Sequence, residues 1–181
     1  AVASYGANQV MTSPDGITWT ARTSATEGNS WYSVTYSNGL FVAVSNGLVS
    51  NAVMTSPDGI TWTSQSISIR NYLTSVTYGN GLFVAVSSTA FGSINDRVIT
   101  SPDGVTWTSR TAADDSDWNS VTYGNGLFVA IAWGYGTYRA MTSPDGVTWT
   151  PRTVDTSIDW KSVTYGNGLF AAVAYNGTGN Y

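Results

Sequence analysis

The sequence repeats at a period near 43 residues, and this repeat constrains the fold more than any other feature. One motif occurs four times: MTSPDGITWT at residues 11–20 and 54–63, ITSPDGVTWT at 99–108 and MTSPDGVTWT at 141–150. A second motif keeps step with it: SVTYSNGLFVAV at 33–44, SVTYGNGLFVAV at 75–86, SVTYGNGLFVAI at 120–131 and SVTYGNGLFAAV at 162–173. A period of this length is typical of propeller blades, each of which is one supersecondary unit.

Each repeat predicts four short β-strands. SVTY and LFVAV are rich in β-branched and aromatic residues, and the Asn-Gly between them is a strong hairpin signal because both turn positions favour positive φ. VMTS and TWT flank a Pro-Asp-Gly turn. We name the strands A (SVTY), B (LFVAV), C (VMTS) and D (TWT). Without helical periodicity, the pattern predicts an all-β fold, a β-propeller of four-stranded antiparallel blades. A β-solenoid is the alternative, although its coils are usually shorter.

We expect a single propeller domain over residues 1–181, with the number of blades left open. Residues 11–181 hold four whole repeats, and residues 1–10 duplicate the repeat position of residues 172–181. A four-bladed ring can close by pairing the C-terminal A and B strands with the N-terminal C and D strands. The alternatives are five blades of which two are incomplete, association of neighbouring chains, or an excerpt from a longer ring.

The composition argues against several classes of function. Charged residues make up 10% of the chain, the net charge is −4, and the basic residues are scattered, which argues against nucleic-acid binding. The absence of cysteine and histidine removes disulfides, thiolate nucleophiles, the commonest zinc ligand and the usual Ser-His-Asp triad. No apolar run approaches the roughly 20 residues of a membrane-spanning helix. We therefore expect no cofactor, no metal and no membrane span.

The turn motif Ser-Pro-Asp-Gly-x-Thr-Trp resembles the Asp-box (BNR repeat) of sialidase-like β-propellers, Ser-x-Asp-x-Gly-x-Thr-Trp, with one residue fewer between Asp and Gly. The likeness covers all four repeats, and the combination with YGNGLFVAV is similar to repeats of bacterial and phage surface proteins. In the Asp-box family the motif lies in the C–D turn, away from the active site, and is structural. The resemblance implies structural turns here too, and turn chemistry independently favours that role. The four aspartates are Asp15, Asp58, Asp103 and Asp145.

Antiparallel strand order places the near-identical A–B and C–D turns on one face of the predicted fold. The B–C and D–A loops, which differ between repeats, lie on the opposite face, which we call the variable face. Binding residues concentrate in loops held by a rigid scaffold, and aromatic and amide side chains suit contact with sugars or proteins. The candidate ligand-binding residues in these loops are Tyr5, Asn8, Phe91, Asn95, Arg97, Trp133, Tyr135, Tyr138, Arg139 and Tyr175.

The preferred hypothesis is a non-enzymatic module that recognises a glycan or a protein surface through the variable face. The alternative is a structural propeller of a filament, virion or cell surface, with copies of the chain completing one another's terminal repeats. A sialidase-like hydrolase is a third hypothesis, but no catalytic residue can be nominated, because glycosidases need two neighbouring carboxylates. The acidic run at 114–117 is either a solvated loop or a calcium site. An extracellular location, or one on a particle or cell surface, accompanies the preferred hypothesis.

Overall fold

The computed structural model describes residues 1–6, 8–47, 49–68, 71–88, 97–134, 136–155 and 157–176. The described residues form sixteen β-strands and no helix. In chain order the strands are β1 (Val10–Thr12), β2 (Thr20–Arg22), β3 (Trp31–Ser37), β4 (Leu40–Ser45), β5 (Val53–Ser56), β6 (Thr63–Gln65), β7 (Tyr72–Gly79), β8 (Leu82–Ser88), β9 (Val98–Ser101), β10 (Thr108–Arg110), β11 (Asp117–Gly124), β12 (Leu127–Trp133), β13 (Ala140–Ser143), β14 (Thr150–Arg152), β15 (Asp159–Gly166) and β16 (Leu169–Asn176).

The strands form five antiparallel sheets in chain order. Three are complete four-stranded blades, β3–β6, β7–β10 and β11–β14, each with its strands adjacent in sequence order. The first sheet holds β1 and β2, and the last holds β15 and β16. The predicted four-stranded antiparallel blade is therefore confirmed in the middle of the chain, while the two terminal sheets each pair two named strands.

The A–B hairpins turn as their sequence predicts. The asparagines of the four Asn-Gly turns have φ between 45° and 52°, and the glycines that follow have φ between 75° and 80°. Positive φ at both central positions gives a turn whose twist matches that of the flanking strands. The turn residues are Asn38, Asn80, Asn125 and Asn167, each followed by glycine.

The D strands begin later than TWT predicts. β6 starts at Thr63, the last residue of its TWT, and Trp62 precedes the strand. The reason is the length of the turn, because the Asp58 carboxylate binds the N–H groups of Ile60 and Thr61 and holds both residues out of the ladder. The same offset of two residues occurs in every repeat, so the prediction of the D-strand bounds was wrong.

The core lies between neighbouring blades. Val42, Val44, Phe83 and Ala85 are buried in one cluster that joins the first two complete blades. Burial on both faces explains why LFVAV is continuously apolar rather than alternating. Trp31, Leu73 and Trp118 are at most 1% exposed, so the replacement of Trp by Leu in the second repeat is a change within the core.

The A strands lie side by side around a common axis. β3 contacts β7, β7 contacts β11, and β11 contacts β15. Serines at one repeat position join these strands, since the N–H of Val76 donates to Ser33 Oγ at 3.2 Å and the N–H of Val121 donates to Ser75 Oγ at 3.2 Å. The repeated hydroxyls therefore satisfy backbone donors that no strand ladder uses.

Candidate functional site

Each A strand has a β-bulge near its start, on the variable face. The pairing of β3 with β4 shifts between Trp31 and Ser33, which leaves Tyr32 unpaired, and the other three A strands shift at the same repeat position. Bulges redirect a side chain out of the regular alternation of a strand. The four bulge residues are Tyr32, Thr74, Asn119 and Lys161.

These bulge residues line an axial groove of about 280 Å³. B-strand ends and one A-strand carboxylate complete the wall, and the remaining lining residues are Asn46, Ser88, Asp117 and Trp133. A second cavity of about 300 Å³ continues below them, lined by the same four bulge residues and the serine that follows each one. The groove is therefore built from four separate repeats around the axis.

Two bulge side chains tie the groove wall together. The Thr74 hydroxyl donates to the carbonyl oxygen of Trp118 at 2.7 Å, and the Asn119 amide donates to the carbonyl oxygen of Trp160 at 3.3 Å. Each bond reaches from one A strand to the next. Tyr32, in contrast, is 53% exposed. Thr74 and Asn119 thus hold neighbouring A strands together, whereas Tyr32 faces solvent.

An exposed aromatic and cationic cluster lies at the edge of the axial groove. The rings of Trp133 and Tyr175 stack with centroids 6.5 Å apart and an interplanar angle of 26°. The Nζ atom of Lys161, the chain's single lysine, lies 5.9 Å from the centroid of the Trp133 ring. Trp133 is 48% and Tyr175 79% exposed. We call Trp133, Tyr175 and Lys161 the aromatic edge; they offer ring faces and a cation to a ligand.

The acidic run at 114–117 holds loops together. Asp114 Oδ2 accepts the N–H groups of Thr137 and Tyr138 at 2.7 and 2.9 Å and the Ser116 hydroxyl at 2.8 Å. Burial raises the pKa of Asp114, but these hydrogen bonds outweigh it and hold that pKa below its usual value. Among the described residues, no group of three or more acidic side chains is placed to hold a metal ion.

Two predicted ligand-binding arginines are engaged in ion pairs. The side chain of Arg97 is 3% exposed, bonds Asp115 through Nη2, and has its Nη1 atom 3.8 Å from Asp117. Arg139 Nη1 donates to Asp159 Oδ1 at 2.9 Å. Both side chains link a B–C loop to a D–A segment, so they brace the variable face rather than extend from it.

The other loop predictions lie in several places. Trp133 lines the axial groove and Tyr175 stacks beside it. Tyr5 is 88% exposed and Asn8 is exposed, but neither lines the groove. Tyr138 is half-buried and contributes its backbone to Asp114 and Ser116. Three predicted residues lie outside the described part of the chain: Phe91, Asn95 and Tyr135.

The axial groove residues Tyr32, Thr74, Asn119 and Lys161 were missed by reasoning from the sequence, although the sequence carries a signal for them. Each stands between a Trp or Leu and a constant Ser-Val-Thr-Tyr, and it is a different residue in every repeat. A varied position inside an otherwise constant strand indicates a side chain with a task other than packing. The four residues lie inside A strands, whereas the candidate residues were taken from the loops.

The repeated aspartates lie on the opposite face, inside their own turns. Asp15 Oδ1 accepts the N–H groups of Ile17 and Thr18 at 2.8 Å and the Ser13 hydroxyl at 2.9 Å. The backbone bond from Thr18, followed by the one from Ile17, lowers the pKa of Asp15 to about 2. Equivalent bonds lower the pKa of Asp58 and of Asp103 to about 2 and also lower the pKa of Asp145.

The repeated arginines bond within their own sheets. Arg22 Nε donates to Thr12 Oγ1, Arg110 Nε to Thr100 Oγ1, and Arg152 Nε to Thr142 Oγ1, at 2.8 to 3.1 Å. In the second repeat, Gln65 donates to Thr55 Oγ1 at 2.8 Å. Each arginine thus connects a D strand to its C strand, one in each of three sheets.

No family model matches the chain, and no curated protein matches it in sequence. The Asp-box likeness therefore stays a resemblance. Among solved structures, YCF48 bound to D1 peptide matches with a TM-score of 0.64 and 17% identity, covering 93% of this chain and 55% of that chain. YCF48 from Cyanidioschyzon merolae matches with a TM-score of 0.54 and 16% identity, over 83% of this chain and 50% of that chain.

The computationally designed Ika4 protein is also similar, with a TM-score of 0.59 and 9% identity over 86% of this chain and 92% of that chain. The chain spans about half the length of the two YCF48 chains. Taken with the radial sheets, these likenesses establish the fold as a β-propeller, and at such identities they concern the fold alone. Within the described ranges, no helix is long and apolar enough to span a membrane.

Proposed function

We propose that this chain is a non-enzymatic recognition module that binds a protein partner through the axial groove and its aromatic edge. The observation that carries the proposal is the groove itself. Its bulge positions differ in all four repeats, while the strands around them are nearly identical. A constant scaffold with a varied centre is the arrangement expected of a binding surface.

The chemistry of the groove favours a polypeptide. Trp133 and Tyr32 offer exposed rings and Lys161 offers a cation, while the Asp117 carboxylate, which also lies 3.8 Å from Arg97, adds a negative charge to the wall. An extended peptide presents apolar side chains, charges of both signs and backbone groups, all of which find a counterpart there. One similar propeller, YCF48, has a structure bound to a peptide, which supports the same mode here.

A glycan is the other ligand that this face suits, because sugars stack on aromatic rings and bond to amides and hydroxyls. Two parallel measurements separate the ligands: selection of a peptide display library on the immobilised chain, and a glycan array. Enriched peptides whose binding depends on Trp133 support the proposal. Glycan binding without peptide binding would show that the site recognises carbohydrate instead. No binding in either assay, with an intact fold, would refute the recognition function.

The proposal excludes a sialidase-like reaction. Asp117 is the one carboxylate among the described lining residues of the axial groove, whereas a glycosidase places two carboxylates beside the scissile bond. Turnover of a sialoside by the chain would overturn this part of the proposal. A location outside the cell, or on a particle or cell surface, is proposed together with the recognition function and is testable by surface labelling.

An assembly role is a second proposed function, favoured by one observation. β16 has no partner on its second edge among the described strands, and its Leu169 and Val173 are 68% and 62% exposed. Unpaired edges of this kind join to other chains unless they are protected. Light scattering over a concentration series tests the role: mass that rises with concentration supports it, and a strict monomer refutes it.

A further inference from the structure

The open edge of β16 corresponds by repeat position to strand edges that are covered elsewhere in the chain. Val173 corresponds by repeat position to Val44 and Val86, which are both fully buried. Ala172 is exposed, whereas the matching Ala43 is fully buried. β4 and β8 each pair with a C strand, and Val44 and Val86 also belong to buried clusters with side chains of the following blade. Among the described strands, β16 pairs with β15 alone.

β1 has the sequence of the strand that covers such an edge. Residues 10–13 and residues 53–56 both read VMTS. In the second sheet, β5 pairs with β4 so that Phe41 lies opposite Ser56, Val42 opposite Thr55, Ala43 opposite Met54 and Val44 opposite Val53. The next two blades keep this register. A strand identical to β5 is therefore complementary to β16 in the same register.

Residues 1–3 now occupy the edge of β1 that this pairing needs. Val2 lies opposite Val10, the N–H of Met11 donates to the carbonyl oxygen of Ala1 at 3.0 Å, and the N–H of Ala3 donates to that of Gln9 at 2.9 Å. The three residues read AVA, and residues 172–174 also read AVA. The N-terminal segment thus takes the place that the middle of β16 takes by repeat position.

We propose that β16 of one copy pairs with β1 of a second copy, and that it displaces residues 1–3 of that copy. In the expected register Val173 lies opposite Val10, Ala172 opposite Met11, Ala171 opposite Thr12 and Phe170 opposite Ser13. This inference rests on the proposed assembly role and names its partner, its strands and its register.

Strand exchange is favoured because β16 is longer than residues 1–3 and is already paired with β15. β16 is already fixed by seven pairings with β15, so it loses little further backbone entropy on docking. It forms four residue pairs with residues 10–13, whereas residues 1–3 have one bridge and three backbone hydrogen bonds there. The exchange also buries Val173, which is now mostly exposed.

A second copy is the partner because β1 is fixed within its own chain. Val10 is buried in a cluster with Trp31, Ala43 and Met54, which holds the first sheet against the first complete blade. β16 stays exposed although β1 belongs to the same chain. The contact joins two different surfaces, so it is head-to-tail and produces chains or rings of several copies rather than one symmetric dimer.

Paired cysteines test the register, because the chain has no cysteine of its own. The double variant Val10→Cys, Val173→Cys places two cysteines opposite each other, within the Cα separation of about 4.4 to 6.8 Å that a disulfide accepts. The matched control is Val10→Cys, Ala172→Cys, in which the second cysteine faces the other side of the sheet. After oxidation, a denaturing gel without reductant separates linked from unlinked chains.

The inference predicts a ladder of linked chains for the first variant and a weak or absent ladder for the control. A disulfide within one chain overturns the second-copy pairing in favour of ring closure. Unlinked chains whose mass rises with concentration overturn the register but leave assembly standing. Unlinked chains that stay monomeric refute both. None of these three outcomes bears on the proposal of peptide binding in the axial groove.

Two single substitutions give an independent measurement. Val173→Lys places a charge in the exchanged ladder at a residue that is 62% exposed in the single chain, so it preserves the fold and abolishes concentration-dependent mass. Val2→Asp weakens the competing N-terminal segment and shifts assembly to lower concentration. Unchanged light scattering for both variants contradicts strand exchange.

Discussion

The ring of Tyr165 occupies the space that a side chain at Gly124 needs. A β-carbon built on Gly124 lies 2.0 Å from Tyr165 Cγ, and one built on Gly79 lies 2.1 Å from Tyr123 Cγ. The tyrosine of each of these A strands therefore packs on the glycine of the preceding one. A β-carbon built on Gly166, at the same repeat position in β15, meets no atom of the described residues within 4 Å.

This packing predicts that Gly124→Ala destabilises the protein while Gly166→Ala does not. Overpacking of a filled site costs about 1–3 kcal/mol, which lowers the melting temperature by about 2–4 °C per kcal/mol in a chain of this size. Gly166→Ala is the matched control because it makes the same chemical change in open space. Equal melting temperatures for the two variants, measured by circular dichroism, would contradict the packing.

The turn hydroxyls predict a second difference between matched variants. Ser143 is fully buried, and its Oγ accepts the N–H of Gly146 at 2.8 Å. Ser143→Ala leaves that buried donor unpaired, at a cost of about 1–3 kcal/mol. Ser13→Ala makes the same change in an exposed turn, where water replaces the bond to the N–H of Gly16. Urea unfolding should show the larger loss for Ser143→Ala, and the reverse order argues against burial as the cause.

The turn aspartates predict a loss of stability in acid. The pKa of Asp15, Asp58 and Asp103 is about 2 in the folded chain, below the value of about 3.9 in an unfolded chain. Groups with a depressed folded pKa contribute stability above the unfolded pKa, and that contribution is lost as the pH falls through the folded pKa. The melting temperature should therefore fall between about pH 4 and pH 2.

Replacing all four turn aspartates by asparagine should make the melting temperature depend less on pH in this range, because the asparagine amide does not titrate. The hydroxyl and N–H bonds to Asp114 and Asp155 also lower the pKa of those groups, so a smaller slope remains. A profile as steep as that of the unchanged chain contradicts the assignment of the slope to the turns.

The aromatic edge predicts that Trp133→Ala weakens binding of a selected peptide by about tenfold or more, equivalent to about 1.4 kcal/mol. Trp19→Ala is the matched control, since Trp19 is 47% exposed, close to the 48% of Trp133, but follows a C–D turn on the opposite face. Fluorescence anisotropy with a labelled peptide measures both. An equal loss in the two variants would show that the ligand does not distinguish the faces.

The Lys161 ammonium predicts a smaller, salt-dependent contribution. Lys161→Gln removes a cation that lines the groove beside the Trp133 ring. An exposed ion pair with a carboxylate of the peptide is worth about 0.2–1 kcal/mol, so the affinity falls by about 1.4- to fivefold. Arg110→Gln is the control, because Gln65 already makes the equivalent bond to a C-strand threonine. Binding that is unchanged in Lys161→Gln at every salt concentration counts against the groove as the ligand site.

Much of the fold could be predicted because its causes are local. Asn38 and Gly39 adopt positive φ as an Asn-Gly hairpin requires. The start of β6 could not be predicted from TWT, because it depends on how far the Asp58 carboxylate reaches along its own turn. Arg97 was expected to face a ligand, but it lies against Asp115, 18 residues away in the chain, and is buried there.

The sequence by itself determined the blade, its hairpins and the face on which the repeats differ, since turn chemistry and strand alternation act over a few residues. Only the tertiary structure decided which varied residues meet at the axis. Thr74 reaches Trp118 across 44 positions of the chain, and Lys161 and Trp133 come from neighbouring sheets. Such contacts depend on how blades pack around the axis and on where β-bulges redirect a side chain. A pattern that spans a few residues cannot specify a contact between residues so far apart in the chain.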